Sequence, residues 1–99
     1  VAVRTDRDEI RRRTWESLGL VRSGEGLAGL ERFLEGARAA GSAALADRAA
    51  AETRNLADVA YAMTRCAAFR EESRGAHYRS DFPERDDQHF RGHTLLVKV

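Results

Sequence analysis

Apolar side chains recur at helical spacing through the first three-quarters of the chain, and then the period is lost. Over residues 5–18, Ile10, Thr14, Trp15 and Leu18 fall on one side of a predicted first helix. Thr5 or Asp6 can cap it, Asp8 and Glu9 suit its positive end, and Gly19 stops it. Ser23 is a good cap for a second helix, in which Leu27, Leu30, Phe33, Leu34 and Ala37 form an amphipathic stripe up to Gly41. Between Ala43 and Arg74 there is neither Gly nor Pro, which predicts a third, longer helix. Its apolar face is traced by Leu45, Ala49, Leu56, Val59, Ala60, Met63, Cys66 and Ala67, and Gly75 is its expected stop.

After Gly75 the pattern changes. Residues 76–93 hold all three histidines, the single proline and an alternation of arginine with acid, and they read as an irregular polar loop. Thr94 to Val99 reads as a short strand, which alone is not stable in water and calls for a partner. The expectation is an all-α fold. Residues 1–75 form a spectrin-repeat-like three-helix bundle with a long last helix. Residues 76–99 add a loop and a short strand to the same domain.

Composition narrows what such a domain can do. With 99 residues the chain is one domain with a small core. Seventeen of its forty-two apolar residues are alanine, which leaves twenty-five with real bulk. No apolar run approaches the ~20 residues of a membrane span, so no membrane partner is expected. The formal net charge of +1 argues against a dedicated nucleic-acid binder. The run Arg11, Arg12, Arg13 is surrounded by Asp6, Asp8, Glu9 and Glu16. The chain begins with Val1 rather than Met, which predicts a piece of a longer protein.

Candidate chemistry is thin. His89 and His93 are spaced i, i+4, but Gly92 and weak helix signals between them favour solvated histidines over metal ligands. Cys66, mid-helix, reads as a buried structural thiol. Ser73 and His77 lack the orienting acid and oxyanion hole of a serine nucleophile. No phosphate-cradling Gly-rich loop is expected, of either the G-x-G-x-x-G or the Walker kind. No catalytic, cofactor-binding or metal-ligating residue is therefore assigned to this chain. What remains is a surface where Arg70, Arg74, Arg79, Arg85 and Arg91 alternate with carboxylates around Tyr78, Phe82 and Phe90. Such Arg–carboxylate forks gain direction when desolvated, and clustered aromatics fit a docking face better than a free surface.

The segment Arg70-Glu71-Glu72-Ser73-Arg74-Gly75-Ala76-His77-Tyr78-Arg79-Ser80-Asp81-Phe82-Pro83-Glu84-Arg85-Asp86-Asp87 resembles the end of the C-terminal helical domain in the fumarate reductase/succinate dehydrogenase flavoprotein family. The stretch from Trp15 to Leu27 resembles the exit of that domain's first helix, and the two matches stand in the expected order. Glu52-Thr53-Arg54-Asn55-Leu56 and His77-Tyr78-Arg79 are more similar to the L-aspartate oxidase branch, while Arg85-Asp86-Asp87 is shared with the dehydrogenase branch. The resemblance implies a parent flavoenzyme with FAD, an FAD-binding domain and a capping domain that are not in this chain, and a cytoplasmic location. For the oxidase branch it implies oxidation of L-aspartate to iminoaspartate in NAD biosynthesis, with quinolinate synthase taking the product. It also implies that Glu72, Arg74, Gly75, His77, Tyr78, Arg79, Asp81 and Phe82 form the face that docks on the missing domains, with His77 and Tyr78 packed inward. Self-association through that exposed face is a further expectation. Two readings from other classes stand beside this one: a self-contained helical protein-interaction module, and an RNA- or DNA-binding bundle using Arg11–Arg13.

Overall fold

The computed structural model describes residues 7–41 and 48–97. Three helices, α1 (Arg7–Leu18), α2 (Gly24–Gly41) and α3 (Arg48–Phe69), pack on one another, and a single turn, α4 (Asp87–Phe90), follows. The fold is all-α, as the periodicity predicts. The expected starts at Thr5 and Ala43 and the strand residues 98–99 lie outside the described residues.

The α2 stripe is the centre of the core. Leu27, Leu30, Leu34 and Ala37 are buried, and they meet Ile10 and Leu18 of α1 and Ala57, Ala60 and Ala67 of α3. Each fully buried leucine contributes about 1.5–3 kcal/mol of hydrophobic stabilisation. Ser23 caps α2 as expected, its Oγ accepting from Gly26 N–H at 3.1 Å. Cross-helix pairs lie at the edges: Arg38 to Asp58 at 2.7 Å, Arg7 to Glu52 at 3.2 Å, and Arg13 stacked on the Phe33 ring.

Three expectations change. Trp15, placed on the inner side of α1, is 66% exposed, and the buried members of that helix are Ile10 and Leu18. The inner face of α3 is rotated by one position. Ala57, Ala60, Thr64 and Ala67 are buried, with the Thr64 hydroxyl donating to Ala60 O at 2.7 Å. Val59 and Met63 are instead 58% and 52% exposed. Small residues let α3 lie close against α2, and the bulkier pair is left on an open side. The third helix also ends at Phe69, not Arg74. Beyond it the backbone turns to new partners: Ser73 N–H donates to Glu84 O at 3.0 Å, and Arg74 and His77 exchange both backbone bonds, at 2.7 and 2.9 Å.

Gly75 is therefore not a helix stop but the first central residue of a two-residue hairpin turn. Its φ of 58° is the only positive value among the described residues, the pattern of a type II′ turn. Residues 93–97 are unpaired, so the short strand is not formed there. The only bridges among the described residues are isolated ones within and beside the 74–82 hairpin, and none reaches the tail.

Candidate functional site

Residues 70–92 carry almost no buried apolar surface, yet they are held at many points. The first point is Glu72, fully buried. Its carboxylate accepts from Arg70 Nη1, from Arg74 Nε at 3.0 Å and from the Asp86 N–H at 2.9 Å. Arg74 reaches on to Asp87, while Arg70 spreads its other donors over Phe90 O at 2.8 Å, Gly92 O and Thr94 Oγ1 at 3.2 Å. The hydrogen bond from Arg74 holds the Glu72 carboxyl down to about 2, against the opposing push of burial. A buried carboxylate is tolerable only because each oxygen is met by donors.

The second point is Arg79, 3% exposed. Its guanidinium forks onto Asp81 through Nε and Nη2, at 3.1 and 2.9 Å, and its Nη1 donates to Ala68 O at 2.9 Å. It thus covers carbonyls left open at the end of α3, where positive charge is favoured. Asp81 Oδ2, which takes the Arg79 Nη2 bond, also accepts the Gly24 N–H at the start of α2, at 2.9 Å. Burial pushes the Asp81 carboxyl up, but the bonds from Arg79 and Gly24 outweigh this and leave it below its ordinary value. A Cβ at position 24 would lie 2.6 Å from Asp81 Oδ2 and 2.8 Å from Arg79 Nη2, so any other residue there would push these two side-chain ends aside.

The third point is His77. Arg22, in the α1–α2 connection, donates from Nη1 to His77 Nδ1 at 2.7 Å, and His77 Nε2 stands 3.1 Å from Arg70 O. Guanidinium has no acceptor, so Nδ1 must accept and Nε2 carries the proton. This is the neutral ring, and burial first, then the neighbouring arginines, push its pKa below 6.5. Backbone bonds fix the same join: Arg22 N–H to Tyr78 O at 2.9 Å and Ser80 N–H to Arg22 O at 2.7 Å.

The expected docking residues are thus brought together in one hairpin. Glu72 and Arg79 are internal and shape the face from within; Arg74 and Asp81 are braces nearer the surface. Tyr78, expected to pack inward, is exposed instead, and Phe82 lies at the edge under the Arg79 guanidinium, 4.9 Å from its ring. Sequence reasoning missed Arg22, Gly24 and Asp86, whose partners lie far along the chain. It also missed Ser73, whose hydroxyl donates to Phe82 O at 2.8 Å and accepts from Arg79 N–H at 2.9 Å. Cys66, expected buried, stands half-exposed in a cleft.

One further correction concerns phosphate. Gly24-Glu25-Gly26-Leu27-Ala28-Gly29 does have the G-x-G-x-x-G spacing. No strand leads into it, however, and the α2 N-terminus already holds the Asp81 carboxylate and the Ser23 hydroxyl. A dinucleotide cradle needs a strand before that turn and an open helix end, and this turn has neither. Among the described residues no three His, Cys, Asp or Glu side chains could hold a metal, and no helix is long and apolar enough to cross a membrane.

A three-helix bundle whose last helix is closed by an arginine-braced hairpin defines a small all-α helical domain. Residues 7–99 match the family model for the fumarate reductase flavoprotein C-terminus, and the chain belongs to that family. Over 45 residues, 46% of the chain, it is 56% identical to the fumarate reductase flavoprotein subunit of Mycobacterium tuberculosis. Over 95 residues, 88% of the chain, it is 35% identical to the L-aspartate oxidase of Streptomyces coelicolor. Over 96 residues, 90% of the chain, it is 31% identical to an uncharacterized FAD-dependent oxidoreductase of Methanocaldococcus jannaschii. The matched stretches make up 8%, 16% and 17% of those relatives, so the chain corresponds to a small part of each.

Proposed function

We propose that this chain is the C-terminal helical domain of a cytoplasmic, FAD-dependent L-aspartate oxidase, docked through its 70–93 hairpin face on flavin-binding and capping domains. The parent enzyme oxidises L-aspartate to iminoaspartate for NAD biosynthesis, and quinolinate synthase takes the product. The observation that carries the reading is the likeness to the Streptomyces coelicolor L-aspartate oxidase along 88% of the chain. Within that enzyme the domain is structural. Its hairpin presents Tyr78 and Phe82 on a frame that Glu72, Arg74, Arg79 and Asp81 hold rigid. The shorter, closer match to a fumarate reductase subunit favours a second reading, the dicarboxylate dehydrogenase branch.

The experiment is anaerobic mixing of the complete flavoprotein with L-aspartate and, separately, with succinate. Bleaching of the flavin by aspartate alone is expected. Bleaching by succinate alone moves the chain to the dehydrogenase branch. The 99-residue chain by itself is expected to be colourless and inactive.

A further inference from the structure

Beside the hairpin lies an open cleft of about 550 Å³. Its floor is apolar: Met63 and Cys66, on the side of α3 that the bundle leaves uncovered and that continues to Val59, with Ala67 of the core at their edge. Every charged residue on its wall is basic: Arg22, Arg70 and Arg74. Two of these have carboxylate partners, since Arg70 and Arg74 share Glu72. Arg22 is different. It is half-buried, and its partners among the described residues are the Gly19 carbonyl at 3.3 Å and the neutral His77 ring at 2.7 Å. A guanidinium taken partly out of water against neutral acceptors alone has lost hydration without gaining a counter-ion. Burial correspondingly lowers its pKa. Nη2 of Arg22 makes no hydrogen bond among the described residues, and neither does Nη1 of Arg74 on the same wall.

We propose that this cleft receives an acidic segment of the flavin-binding part of the same flavoprotein, a carboxylate bonded by Arg22 with an apolar neighbour seated on Met63 and Cys66. The inference rests on the docking reading above and gives the docked partner its chemistry. Charge complementarity selects the occupant. A wholly apolar segment would leave Arg22 buried without an anion, and a basic one would meet three guanidinium groups.

Cys66 is the only thiol in the chain and lies on the cleft floor, so it reports on the cleft directly. In the folded 99-residue chain at low salt, iodoacetate and iodoacetamide compete for it. Any change in thiol acidity affects both reagents alike, so their rate ratio reads the local field. Against the urea-unfolded chain the ratio should shift about twofold towards iodoacetate, the effect in water of the one net positive charge left by Arg22, Arg70 and Arg74 against Glu72 and Asp87, taken at roughly 8 Å. The His93→Glu variant, at an exposed position on the cleft wall, should cancel most of that shift. In the complete flavoprotein, mass spectrometry of the Cys66 peptide should show both reagents excluded, and Arg22→Gln should readmit them.

An unshifted ratio overturns the proposal, and protection in the complete protein would then leave docking standing without it. A shifted ratio with Cys66 still open in the complete protein overturns the docking reading and this occupant with it. Protection that grows with the concentration of the 99-residue chain alone assigns the cleft to a second copy and also overturns the proposal.

Discussion

The bundle and the hairpin solve the same problem, holding a backbone still, with opposite materials. Leu27, Leu30 and Leu34 meet Ala57, Ala60 and Ala67 through apolar burial, which is non-directional and tolerates small shifts. The 70–92 segment is held by Glu72, Arg79 and His77, each satisfied by partners at fixed angles. Directional bonds of this kind specify shape more than they add stability, because much of their gain is offset by desolvation. The bundle is thus a platform, and the hairpin is a precise surface laid on its end.

The largest effect should come from the platform. Leu34→Ala leaves a cavity at the α2–α3 contact and should cost about 2–5 kcal/mol in urea unfolding. Loss of helix and loss of hairpin should then coincide. Glu72→Gln should act more locally. It removes the charge that Arg70, Arg74 and the Asp86 N–H share, so the Ser73 and Asp86 amides should exchange with solvent much faster while α1–α3 stay protected. If the helices melt together with the hairpin in that variant, the two regions are not separable.

Titration distinguishes them further. Glu72 sits at about 2 in the fold against 4.5 in an open chain. Its contribution is therefore complete above pH 4.5 and is lost as pH falls from there towards 2. His77 acts in a higher window. Its folded pKa lies below 6.5, so as pH drops past 6.5 the unfolded chain binds a proton first. Stability should fall below pH 6.5 and reach its plateau above it, and His77→Gln should remove that step. The bundle core contains no titrating group, so a Leu34→Ala chain should keep both pH steps.

Gly24→Ala is a smaller disturbance at the join. Its methyl group would displace Asp81 from the α2 N-terminus and disturb the Arg79 fork, at about 1 kcal/mol for a lost cap. The smallest change should be a gain. The buried Thr14 hydroxyl has no hydrogen-bond partner among the described residues, so Thr14→Val should stabilise the chain by up to about 1 kcal/mol in thermal unfolding.

The same contrast explains what the sequence made legible. α2 was readable because bulky leucines mark one face and polar residues the others. The inner face of α3 lies one position from the expected one because alanine occupies every side of the helix, and Val59 and Met63 draw the expected face away from Ala57 and Thr64. The end of that helix is not legible because nothing local stops it. Phe69 is its last residue because Arg70 and Glu72 are taken up by groups as far along the chain as Thr94 and Asp86. The hairpin residues could be selected as a group by their arginine–acid alternation and by family resemblance. Their partners could not. Arg22 and His77 are 55 positions apart, and Gly24 and Asp81 are 57, and no periodicity reports such pairs.

The central claim, that the hairpin presents a docking face on a frame independent of it, is tested most directly by Tyr78→Ala. In the complete flavoprotein the variant should lose FAD on gel filtration faster than the parent. In the 99-residue chain the same change should leave the unfolding midpoint where it was. Normal flavin retention in the complete protein, or collapse of the 99-residue chain, would contradict the claim.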